Sequence, residues 1–360
     1  MDEATWDPVP YTRDLAQQAL ALTRRTWGDV EIGDAQYQRW HYEANPAGET
    51  LSTFARDRQG GGLVGQFGVV PLRFSVDGED CTAGLALNVV TDAALRGQGI
   101  FAGLGRAANE RMAEAGISFA FALPNANSFP GFLRHLGYQD IGDVPLLARP
   151  VNVHRLVAKR LPLPGAGAVA ALLSRPFTKD LPATLPEAAA IEIARVDRFD
   201  ARFDALWQRV RGRQRVMAVR DATFLNWRFR DVPLRRYECF AAIEREGEGG
   251  GEEVAGYIVL RRDQIAGLDA GLVVDFVAAN ADAGTHLIAH ALVHFHDQDL
   301  DLLAGLMLPH TAEYGLLRRV GFWPLPRPLL PQRFRVVARD GPAVRNLDNW
   351  FLTMGDYDAV

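Results

Sequence analysis

Cysteine is scarce in this chain. Cys81 and Cys239 are its only two, 158 positions apart, a spacing that suits neither a disulfide framework nor a thiolate metal cluster. Both read as buried thiols of a reducing compartment. Long apolar runs are also missing: the apolar stretch at 166–173 falls far short of the roughly 18 residues that a membrane span needs. The opening Met1-Asp2-Glu3-Ala4-Thr5-Trp6-Asp7-Pro8 is acidic and lacks the basic and apolar segments of a signal peptide. A soluble, cytoplasmic protein is therefore expected. There is no excess of positive charge either. With 39 Lys and Arg against 44 Asp and Glu, net −5, general binding to nucleic acid or to an anionic membrane is disfavoured. No Gly-Lys-Ser/Thr closes a glycine loop, which excludes a Walker site, and no Gly-x-Ser-x-Gly marks a hydrolase. His286, His290 and His294 share a helical face but frame no HExxH glutamate. They read as a solvated or interface face, and no metal is expected.

What is present is repetition. The 360 residues, 48% hydrophobic, suffice for two domains. Tyr37-Gln38-Arg39-Trp40-His41-Tyr42 leads to Asn45-Pro46, and Phe224-Leu225-Asn226-Trp227-Arg228-Phe229 leads to Val232-Pro233. After each comes a strand pattern, a Gly-rich turn (Gly60–Gly62 and Gly247–Gly251) and a second strand pattern, read as β-hairpins. Leu123-Pro124-Asn125 before Leu136-Gly137-Tyr138 is echoed by Leu308-Pro309-His310 before Val320-Gly321-Phe322. Trp227 follows Trp40 by 187 positions and Gly321 follows Gly137 by 184, so one unit is written twice. The division expected is 1–150, a Pro-rich crossover linker with a short helix at 151–190, and 191–360.

Only the first copy carries a legible loop. The apolar run ending at Val89-Val90 breaks at Thr91-Asp92, and Arg96-Gly97-Gln98-Gly99-Ile100-Phe101-Ala102 opens into a helical pattern through Leu104, Ala108 and Met112. Glycines at a helix start leave backbone N–H groups open beside the positive end of the helix dipole, which suits a phosphate or pyrophosphate. A dinucleotide fingerprint would need an acid closing the next strand, and Phe119-Ala120-Phe121-Ala122-Leu123 has none. The turn Asn125-Ala126-Asn127-Ser128 follows that strand; Asn125 and Ser128 are also good helix caps.

These residues resemble the GNAT acyltransferase family, whose acyl-CoA loop reads Arg/Gln-x-x-Gly-x-Gly/Ala. Arg96 to Ile100 fits, and Phe101 departs at the last position. The resemblance implies an α/β fold of two tandem GNAT-like domains, each a mixed twisted sheet flanked by helices, the C-terminal copy lacking the loop. It further implies that Val89, Val90, Arg96, Gly97, Gln98, Gly99, Ile100, Phe101, Ala102, Asn125 and Ser128 contact acetyl-CoA or another acyl-CoA. The implied reaction is attack of a neutral small amine on the thioester, with an amino sugar or sugar-nucleotide as the acceptor suggested by related members. A strand N–H at Val89-Val90 would steady the oxyanion.

The tyrosine that many GNAT enzymes use as thiolate acid is replaced by Phe132 and Leu133, and Tyr138 reads as core. Candidate bases are Asp275, mid-strand in an apolar run, where a structural hydrogen bond or a place in the domain interface is the rival reading, and Asp356 and Asp358, which end a strand pattern beginning at Trp350 and otherwise read as solvated. Asp92 reads as a turn residue or a base. The alternative is a non-catalytic acyl-CoA-binding or scaffold protein. Oligomeric state is left open.

Overall fold

The computed structural model describes residues 5–160, 191–245, 251–296 and 298–357. The first half runs β1 (Trp6–Pro10), α1 (Ala16–Trp27), α2 (Ala35–Tyr42), β2 (Thr53–Asp57), β3 (Leu63–Val76), β4 (Glu79–Thr91) and α3 (Ile100–Glu114). It continues with β5 (Phe119–Ala122), α4 (Phe129–His135), β6 (Gln139–Asp143), β7 (Leu146–Pro150) and α5 (Val153–Arg160). The second half runs β8 (Ile191–Arg195), α6 (Ala201–Val210), β9 (Val216–Ala218), α7 (Ala222–Phe229), β10 (Glu238–Arg245), β11 (Glu252–Ile265) and β12 (Leu268–Ala278). Last come α8 (Ala281–His294), β13 (Leu302–Leu306), α9 (Ala312–Arg319), β14 (Trp323–Pro324), β15 (Arg335–Arg339) and β16 (Trp350–Phe351). α5 falls at the start of the span expected to be linker, and the short apolar helix expected over 166–173 lies outside the described residues.

The repeat is real in space. Both expected hairpins form, β2 against β3 and β10 against β11, all antiparallel. The following hairpins close through two-residue turns, Asp77-Gly78 and Ala266-Gly267, with positive φ throughout, the backbone that tight strand connections demand. The two sheets have matching plans, β1-β2-β3-β4-β5-β15-β6 and β8-β10-β11-β12-β13-β7-β14. Reading the two orders side by side exposes an exchange. The sixth place of the first sheet is taken by β15 from the second half, and the sixth place of the second sheet by β7 from the first. Each half thus completes the other's sheet. The division at 1–150, 151–190 and 191–360 is a proposal about the repeated unit, not a boundary between separate sheets.

The halves meet on a pair of tryptophans at equivalent positions of α2 and α7. Trp40 and Trp227 stack at 4.8 Å with 18° between planes. Each indole N–H donates to the other's backbone carbonyl, Trp40 Nε1 to Trp227 O at 2.8 Å and Trp227 Nε1 to Trp40 O at 3.2 Å. Both rings are buried, so their polar edges require those partners. Trp350 adds a second tie. From the chain's last strand it packs its buried ring against Phe74, Phe119 and Phe121 of the first half. The strand expected from Trp350 stops at Phe351, because Thr353 and Asp356 form a capping box that turns the backbone into a 3-10 turn over Met354–Asp356.

Candidate active site

The cleft is built by a parallel pair that stops early. β4 pairs with β5 over Ala83–Ala86 and Phe119–Ala122, after which the chain leaves at Leu123-Pro124-Asn125 while β4 runs on to Thr91. The β5 side of Leu87–Thr91 thus faces an open wedge. Opposite, β3 pairs Gly68 with Leu87 and Gln66 with Val90, so Asn88 and Val89 share the place across from Phe67. That is a β-bulge, and Asn88 takes φ 51° there. Gly68 makes room for it: a Cβ at that position would stand 2.4 Å from the Leu87 carbonyl oxygen. A bulge re-aims backbone groups that a regular ladder would consume.

The loop before α3 forms the upper end of the wedge. Gly97 and Gly99 take φ 83° and 75°, nothing lies within 4 Å of where their Cβ atoms would be, and no side chain caps the helix at Gly99. The first N–H groups of a 15-residue helix are consequently free of a side-chain acceptor. Its counterpart in the second half is closed, since Asn280 caps α8 by accepting from Ala283 N at 2.9 Å. Phe101, where the family pattern has Gly or Ala, turns its ring away from the loop onto Gly131, whose Cβ would meet it at 2.4 Å, and onto Phe67 and Phe132. The backbone therefore stays approachable.

Two confluent cavities fill the wedge. One, about 680 Å³, is lined by Val89, Val90, Arg96, Gly97, Gly99, Ile100, Phe101, Ala102, Asn125 and Ser128, with Trp27 and His135. Of the loop and turn residues singled out from sequence, Gln98 alone is outside this lining; its Oε1 accepts from Thr5 Oγ1 at 2.8 Å. Asn125 Oδ1 accepts from Asn127 N and Ser128 N, both at 3.0 Å, so it shapes the turn from within the cleft. The second cavity, about 770 Å³, shares Trp27, Val89, Asn125 and Ser128 with the first. Its apolar wall is Leu85, Leu87, Leu123 and Phe132; its polar groups are Asp29, Glu31, Asn88, Arg235, Gln332 and Tyr357.

Residues 8–141 match the acetyltransferase (GNAT) domain family. The first half thus carries a GNAT acetyltransferase domain, and the two sheets fit a tandem arrangement. No curated protein sequence matches it. Similar solved structures include a GCN5-related N-acetyltransferase from Anabaena variabilis (TM-score 0.63, 14% identity, 93% of this chain and 72% of that one). A probable N-acyltransferase from Enterococcus faecalis is similar at TM-score 0.60 and 12% identity, over 93% of this chain and 72% of that one. So is the N-myristoyltransferase of Saccharomyces cerevisiae with bound myristoyl-CoA, at TM-score 0.61 and 12% identity, over 94% of this chain and 84% of that one. At such identities the likeness concerns the fold.

Within the GNAT frame two of the candidate bases, Asp275 and Asp356, stand apart from the cleft lining. Asp275 and Asp356 are buried with Arg220: Asp356 Oδ2 accepts from Arg220 Nη2 at 2.6 Å, and Asp275 Oδ2 from Arg220 Nε at 3.2 Å and from the Tyr257 hydroxyl at 2.7 Å. Thr353 Oγ1 donates to Asp275 Oδ1 at 2.9 Å. Burial pushes the Asp356 carboxyl up, against the pull of Arg220 and helped by the charge of Asp275. Asp358 lies outside the described residues. Asp275 follows Asn88 by 187 positions and sits beside the bulge of β12, where the parallel pairing with β13 ends at Val273 and Gly305. The second half thus repeats the wedge but fills it with Arg220, Thr353 and Gly355, whose Cβ would meet Asp275 Cβ at 3.2 Å. Asp92 accepts from Ala94 N and pairs with Arg25 at 3.1 Å, the contacts of a turn residue.

Tyr138 is core: its ring meets Phe132 edge-on at 4.9 Å, its hydroxyl has no hydrogen-bond partner, and burial raises its pKa. The histidine face of α8 splits. His294 faces Glu238 at 3.2 Å, while His290 packs on Phe240 at 4.2 Å. Among the described residues no group of three potential metal ligands is found, and no helix is long and apolar enough to cross a membrane.

Sequence reasoning missed the polar residues of the second cavity. Asp29 and Glu31 lie in the short connection between α1 and α2, and Arg235, Gln332 and Tyr357 come from the second half. None sits in a pattern; only the fold brings them to the bulge.

Proposed function

We propose that this cleft transfers an acetyl group from acetyl-CoA to a small amine. The observation that carries the reading is the uncapped N-terminus of α3 opening onto the unpaired edge of β4 and ending at the Asn88–Val89 bulge. Backbone N–H groups of Gly97 to Ala102 grip the diphosphate, with Arg96 beside them. The β4 edge from Leu87 to Thr91 pairs with the amides of pantetheine as an added strand would. Asn125 and Ser128 line the same path. At the bulge, a re-aimed N–H of Val89 or Val90 steadies the carbonyl oxygen as it becomes an oxyanion.

The amine stands in the second cavity. Its nitrogen bonds to the carbonyl carbon, its proton passes to Glu31 or Asp29 directly or through water, and the carbon–sulfur bond breaks. The thiolate takes a proton from the Ser128 hydroxyl or a water, since Phe132 replaces the usual tyrosine and lies in the core. An amino sugar fits the volume as well as other small amines do. The replaced tyrosine also favours a second reading, a GNAT-fold protein that binds acyl-CoA without turnover. Calorimetric titration with acetyl-CoA and thiol release on an amine panel separate the two. Binding with release is expected. Failure to bind refutes both readings, and binding with no release on any amine leaves the scaffold.

A further inference from the structure

The second cavity is electrically two-sided. Arg235 reaches it from the second half, with its side chain only 9% exposed, whereas Glu31, whose Oε2 it meets at 2.5 Å, is 41% exposed. The cation is at the floor and the acid at the lip. Behind Arg235, two more guanidiniums converge on one phenol: Arg228 Nη1 stands 3.4 Å and Arg261 Nη1 3.5 Å from the Tyr237 hydroxyl. Burial alone would raise that phenol, yet Arg228, Arg235 and Arg261 together hold it below its ordinary value. The floor is thus cationic, with Arg228 and Arg261 gathered near Arg235 and Asp263 offsetting Arg261 in part, beside the apolar wall of the cavity.

We propose that the amine acceptor carries an anionic group, a carboxylate or a phosphate, which docks on Arg235. This rests on the acyl-transfer reading and names the acceptor class of that site. The incoming anion takes the place of Glu31 on the guanidinium, a planar cation that suits carboxylate and phosphate. Glu31, released, faces the amine and is free to receive its proton. One exchange of partners would then both hold the acceptor and arm the base, so binding of the wrong, uncharged amine leaves Glu31 engaged.

The test uses the full chain loaded with CoA and two matched pairs of probes: phenylalanine against phenylalaninamide, and glucosamine 1-phosphate against glucosamine. Calorimetry is run on the parent, Arg235→Met and Arg235→Lys, with circular dichroism and CoA affinity as checks of folding. At least one anionic member is expected to bind tenfold or more tightly than its neutral partner. Which pair shows the preference tells carboxylate from phosphate. Arg235→Met should erase the preference, and Arg235→Lys should restore part of it. Equal binding within each pair, no binding by any of the four, or a preference that survives Arg235→Met overturns the inference. Loss of CoA binding by the parent would instead overturn the acyl-transfer reading itself.

Discussion

Replacing Gly99 by aspartate separates the binding role of the α3 N-terminus from its structural role. Gly99 has φ 75° with open space where a Cβ would go, so the cost of the side chain is backbone strain of about 1 kcal/mol. An aspartate there would cap α3, which returns roughly 1 kcal/mol, so overall stability should barely change. Binding is another matter. The same capping bond consumes a helix N–H otherwise given to the diphosphate, a charge-assisted bond of roughly 1.5–3 kcal/mol. Repulsion between the new carboxylate and a dianion about 5 Å away adds roughly 1.7 kcal/mol at the dielectric of water and twice that at half of it. The sum, roughly 3–6 kcal/mol, weakens acetyl-CoA binding by about two to four decades. Gly99→Asn keeps the side-chain acceptor and omits the charge, and should cost only about one to two decades. Titration calorimetry measures both affinities, and thermal melts check that both variants fold. A folded Gly99→Asp protein that binds acetyl-CoA within threefold of the parent would refute the assignment of this loop.

The other predictions concern the scaffold around the cleft. Trp40→Ala and Trp227→Ala should each cost about 3–5 kcal/mol in urea unfolding, and the double variant less than the sum, because the two rings stack on each other and either substitution removes that contact; strict additivity would deny the coupling. Arg220→Met leaves Asp275 and Asp356 buried without their cation and should destabilise by about 3–5 kcal/mol, while acetyl-CoA affinity of the folded protein stays near that of the parent. Gly68→Ala drives a Cβ toward the Leu87 carbonyl oxygen and should lower kcat at least tenfold by displacing the bulge; an unchanged kcat would remove the bulge from catalysis. His290 is held below its ordinary pKa by burial and by His294, with neither ring nitrogen hydrogen-bonded. A base depressed in the folded state gives stability above its unfolded pKa, about 6.5, that is lost as pH falls. The urea midpoint should therefore drop between pH 7.5 and 5.5, and less so in His290→Leu.

Legibility followed the range of the interaction. The loop at Gly97 and Gly99 is local, and its helix starts where the spacing of Leu104, Ala108 and Met112 places it. The duplication was visible because Trp40 and Trp227 stand in equivalent packing positions, which preserves residue type as well as spacing. The exchange of β7 and β15 left no trace, since alternation along a strand says which face is buried and nothing about which strand lies alongside. Asp275 looked functional for a sound reason, being a carboxylate in an apolar strand. Its partner Arg220 stands 55 positions away in a segment with no periodic signal. Phe101 looked like a defect in the loop because its ring direction, onto Gly131 and Phe132, depends on a helix 30 residues on.

The two halves show the same wedge open and filled. Both splay a parallel strand pair at the same place, leaving polar backbone at the end of a sheet that must be satisfied. In the second half, Arg220, Thr353 and Asp275 supply the satisfaction from within, and Asn280 closes the helix end. In the first half those roles are left to glycines and to a bulge. Filling the second wedge fixes the turn at Met354–Asp356, and Arg228 holds that turn further by donating from Nε to Gly355 O at 2.9 Å. The next residue, Tyr357, lines the second cavity of the cleft. The filled wedge thus anchors a wall of the proposed acceptor cavity, so a perturbation of Arg220 should loosen that cavity before it reaches the loop at Gly97 and Gly99.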